Sequence, residues 1–141
     1  MLTELSLIIV SYLGVFIGSY LYKVAGQEVV NNKEEIFYFQ QILGMAAYVC
    51  FVIFLPVTIA EKLIGAALIA TIGYFMEDRD PLAGLMVGIN PTFLVSSLVF
   101  LYGFPQGSLL HTRSFPSVLK KTYMFLLLGV IGLIIREFFF I

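Results

Sequence analysis

Apolar residues fall into five long runs, and the polar residues are confined almost entirely to the segments between them. A helix crossing a bilayer needs roughly 20 apolar residues, within a range of about 17–25. The first run, residues 5–22, meets that length, and the polar stretch "KVAGQEVVNNKEE" follows it. A second helix is expected over 36–60, with Phe37, Tyr38 and Phe39 at its mouth as an interfacial aromatic belt. The third run, "LIGAALIATIGYFM", is short: 14 residues rise only about 21 Å, against a hydrocarbon core of ~30 Å. Its helix, placed at 61–76, is accommodated by a start near Pro56 or Glu61, by local thinning with snorkelling charges, or as a re-entrant half-span. The fourth helix is expected over 81–104 and the fifth over 119–137. The turn-rich segment "FPQGSLLHTRSFPSVLKK" lies between them.

The fourth run carries the anomaly. At its centre stands Asn90-Pro91-Thr92, where the hydrocarbon of a membrane would be thickest. Proline has no N–H and crowds the preceding turn, so this helix is expected to be interrupted at Asn90-Pro91. Two readings follow: a structural kink satisfied by neighbouring polar groups, or a substrate or ion path at a broken helix, as in transporters. The path would use Asn90, Pro91, Thr92 and Ser97, with Glu61 as the one acid that a membrane could enclose.

Composition supports the membrane class. Of 141 residues, 60% are hydrophobic and 12% charged, about half the usual charge of a soluble domain. Mean hydropathy is +1.00. The expected fold is therefore an all-α integral membrane protein, a single domain over 1–141 with a bundle of about five transmembrane helices. The net charge of −1 excludes a nucleic-acid partner, which demands a basic surface. One cysteine and one histidine exclude a His/Cys metal cage within one chain, and no cofactor is expected. The N-terminal run has no basic n-region and no convincing cleavage site, so it reads as a retained helix rather than a signal peptide.

Small residues predict the packing. Gly14 and Gly18, and again Gly84 and Gly88, are spaced to let a neighbouring backbone approach, within the bundle or between subunits. The "EDRDP" turn reads as a solvated turn with Asp80 capping the fourth helix. His111 and Arg113, with Lys120 and Lys121, form the densest basic cluster and suit a lipid head group. No acid stands near His111 to build a catalytic triad, so no catalytic residue is expected. With five crossings, four basic residues fall on each side. The basic loop then favours itself, and with it the N-terminus, as cytoplasmic.

The expected function is a small translocator or channel-like protein in the bilayer, working as a homo-oligomer. The alternatives are a non-catalytic subunit of a larger membrane assembly, packed against other membrane subunits, and, less favoured, a lipid-active enzyme.

Overall fold

A computed structural model describes residues 2–75, 80–110 and 114–139. All regular structure in them is helical, in six elements: α1 (Leu2–Asn31), α2 (Lys33–Phe54), α3 (Ile59–Phe75), α4 (Asp80–Ile89), α5 (Phe93–Leu109) and α6 (Phe115–Phe139). Three of these, α1, α2 and α6, are long and apolar enough to cross a membrane. Leucine, isoleucine and phenylalanine are exposed along most of their length. The interior is an apolar core around residues such as Ile8, Phe51, Val87, Val95 and Phe125, into which the polar side chains of Ser11, Gln40, Asp80, Asn90 and Thr122 are also buried.

The register of contacts fixes the direction of each helix. Ser11 Oγ donates to Ser96 O at 3.0 Å and Ser108 Oγ donates to Gly18 O at 3.0 Å, so α5 runs parallel to α1. The Tyr12 and Thr122 hydroxyls are bonded at 2.6 Å, and Arg136 pairs with Glu4 at 3.0 Å, so α6 runs antiparallel to α1. Gly84 lies against Phe125 and Gly88 against Gly129, which makes α4 parallel to α6. It follows that α4 and α5 are antiparallel. The segment 80–109 enters from one end of the bundle, turns at 90–92 and comes back to the same end. Gln106 donates to Asp80 at 2.9 Å to close it.

This changes the expected fourth helix. One crossing over 81–104 with an interruption becomes a hairpin of a ten-residue and a 17-residue helix. The local cause is legible in the hydrogen bonds. The Asn90 N–H completes α4 by donating to Met86 O at 3.0 Å, and Pro91 has no N–H to continue the ladder. The Thr92 N–H then turns back to Asn90 O at 2.7 Å. Thr92, with extended backbone, caps α5 by accepting from the Val95 N–H at 3.5 Å. The hairpin also carries both chain ends to the same end of the bundle.

Other boundaries shift for similar reasons. The polar stretch 23–35 is helical except at Ala25 and Asn32, and the reversal from α1 to α2 is made between these residues. The second helix stops at Phe54 rather than residue 60, because Pro56 stands in the turn that follows. Pro105 lies inside α5, which runs on to Leu109. Gly107 holds it there, pressed on the backbone of Val15 and Ser19. Asp80, expected in a solvated turn, is instead 1% exposed; residues 77–79 of that turn lie outside the described residues.

Glycine contacts hold each arm of the hairpin. A methyl group built on Gly14 would overlap the carbonyl of Phe100, and one on Gly18 that of Phe104. On the other arm, Gly84 meets the carbonyl of Phe125 and Gly88 that of Gly129. All four glycines contact backbone within the chain. The third helix is different: α3 buries none of its residues.

Candidate functional site

Because α5 folds back along α4, residues 22 to 26 apart in sequence meet at one end of the bundle. Tyr102 and Gln106 are four apart on α5 and share a face, which they turn towards Asp80 at the start of α4. Gln106 Nε2 donates to one carboxylate oxygen at 2.9 Å, and the Tyr102 hydroxyl donates to the other at 3.5 Å. Gln40 of α2 completes the cluster. Its Nε2 donates to the Tyr102 oxygen at 3.2 Å and also to Gln106 Oε1. These groups converge on a carboxylate that solvent barely reaches, and Gln40 itself is 6% exposed. A buried polar cluster of this kind is costly unless its members satisfy one another.

Beside it, a cavity of about 460 Å³ opens between α2, α3 and the hairpin. Its walls are apolar or small: Gly44, Ala47 and Tyr48 of α2, Ile69, Ala70 and Gly73 of α3, and Ala83 and Met86 of α4. Gln40, Gln41 and Tyr102 give it a polar wall. A second, wider cleft of about 1160 Å³ lies at the opposite end of the α2–α3 groove, lined by Phe51, Thr58, Glu61, Lys62 and Ala66 among others. Ile69 lines both. The two cavities thus lie to either side of Ile69 along the α2–α3 groove, with polar residues in each.

The residues singled out from sequence fall at separate places. Asn90 is 5% exposed, and its Nδ2 donates to Phe51 O at 3.4 Å, tying the hairpin turn to α2. Thr92 caps α5, and Ser97 Oγ donates to Phe93 O one turn back at 2.7 Å. Pro91 is half-buried between them. Glu61 is not with these residues. It accepts from the Thr58 N–H and hydroxyl at 2.9 and 2.7 Å, as a first-turn cap of α3 in the wide cleft. Its neighbour Lys62 donates to Ile53 O at 2.7 Å and covers the end of α2. Lys120 and Lys121 are exposed near the start of α6, with Lys121 donating to Leu110 O at 3.2 Å. His111 and Arg113 lie outside the described residues.

Gln40, Tyr102 and Gln106 were missed. Gln40 stands just inside an apolar helix, and Tyr102 and Gln106 are separated by an expected helix end at Pro105. The usable signal was the pair of glutamines among otherwise apolar residues, together with an aspartate before the hairpin. Among the described residues, no group of three or more His, Cys, Asp or Glu side chains comes together to hold a metal ion. No protein-family model matches the chain, and the searches of curated proteins and of solved structures also returned no match.

Proposed function

We propose that this is a multi-pass membrane protein that carries a small amphipathic molecule along the α2–α3 groove. The observation behind it is the pair of cavities along α2 and α3, which share Ile69 as a wall and each combine apolar walls with a few polar side chains. Ligand sites are typically apolar clefts of about 300–1,000 Å³ with a few placed polar groups, and the cavity beside Gln40 is of that kind. A chain-bearing molecule would lie along the groove with its head at one end or the other. Helix α3, which buries no residue, is the wall with least to lose by moving. On this reading the path runs along α2 and α3 rather than beside Asn90, whose amide is engaged with Phe51.

Reconstitution tests it. Vesicles carrying the protein and a fluorescent-headed single-chain lipid, with an impermeant quencher outside, should lose their protected fluorescence faster than protein-free vesicles. Ile69→Trp, which fills the junction of the two cavities, should abolish the acceleration. Equal rates with and without protein would contradict the reading.

A further inference from the structure

We infer that the ligand's head group is an uncharged hydrogen-bond donor, a hydroxyl in the simplest case, and that the Gln40 side-chain carbonyl receives it. The inference rests on the groove being a ligand site, and its own support is the direction of the hydrogen bonds around Asp80. Gln106 presents its N–H₂ to one Asp80 oxygen, and Tyr102 its single proton to the other. The Tyr102 oxygen and Gln106 Oε1 are then left as acceptors. Both face Gln40, whose N–H₂ must supply them. The Tyr102 proton and both N–H groups of Gln40 are therefore committed within the cluster.

What remains is an acceptor, Gln40 Oε1, on a side chain that lines the cavity and is 6% exposed. No hydrogen bond reaches that oxygen among the described residues. A ligand head that donates satisfies it, whereas a head that only accepts leaves two oxygens facing each other. Charge points the same way. The apolar junction at Ile69 penalises any full charge, an anionic head included, far more than a hydroxyl.

Three ligands of one chain length separate the outcomes: oleyl alcohol, its methyl ether and oleate. Each is offered to the full chain in detergent and scored by native mass spectrometry, alone and in competition. The alcohol should bind about tenfold more tightly than the ether, the difference expected for one buried acceptor left unsatisfied. Oleate should bind more weakly than the alcohol. In Gln40→Met the alcohol and the ether should become nearly equal. The wild-type comparison does not depend on that variant folding. Equal binding of alcohol and ether, or tighter binding of oleate, overturns the head-group inference and leaves the groove standing. Failure of all three to bind overturns the groove as well.

Discussion

Gly107 and Gly65 are both helical glycines in apolar surroundings, yet their environments differ completely. A methyl on Gly107 would overlap the Val15 carbonyl and crowd the Ser19 nitrogen, and neither can move without α1 moving. Gly65 has nothing within 4 Å. Gly107→Ala is therefore expected to destabilise the bundle by roughly 1–3 kcal/mol, the usual cost of overpacking. Gly65→Ala should be neutral or slightly stabilising, since alanine is the better helix former by about 1 kcal/mol. Thermal unfolding in detergent distinguishes them, and equal midpoints would show that the α1–α5 approach is looser than described. In a bilayer, lipid tails would offer no hydrophobic drive to helix association, and such contacts and the buried polar pairs would carry much of the cohesion.

At the scale of elements, the hairpin arms and α3 stand at opposite extremes. Each arm is seated on a long helix through backbone-to-backbone glycine contacts, while α3 is held to α2 by contacts such as the Tyr48 hydroxyl on Ala66 O at 2.5 Å. Amide exchange should therefore be fastest in α3 among the apolar helices, and slowest where α1 and α5 meet. Equal protection across α3 and α5 would remove the mobile wall that the proposed carrier function calls for. Helix content and most apolar segments were legible in the sequence because long apolar runs separated by polar segments mark helices of membrane-crossing length. The reversal at Asn90-Pro91-Thr92 was not. Proline and threonine mark a break equally well in a kinked helix and in a turn, and only the partners of the two arms decide between them. Pro105 misled in the other direction, because packing of Gly107 on α1 overrides the local punctuation. Asp80, read as a capping residue beside charged neighbours, could not be seen as buried until α5 folded back over it.

For the whole molecule, the hairpin changes the sidedness. The end of the bundle that holds Asp80 also holds Lys23, Lys33, Lys120 and Lys121, against Lys62 and Arg136 at the other. The four-to-four tie expected from five crossings therefore becomes an excess at the Asp80 end, which we propose faces the cytoplasm, with both termini outside. The site depends on this arrangement, because Asp80 meets Tyr102 and Gln106 only if the chain turns back at 90–92. The direct measurement is labelling by an impermeant thiol reagent in sealed right-side-out vesicles, with single cysteines placed in a Cys50→Ala background. Thr3→Cys and Phe138→Cys should both label from outside, and Lys33→Cys and Ser117→Cys only after permeabilisation. If positions 3 and 138 label from opposite sides, the segment 80–109 crosses as one kinked helix, and the hairpin and its Asp80 cluster are contradicted together.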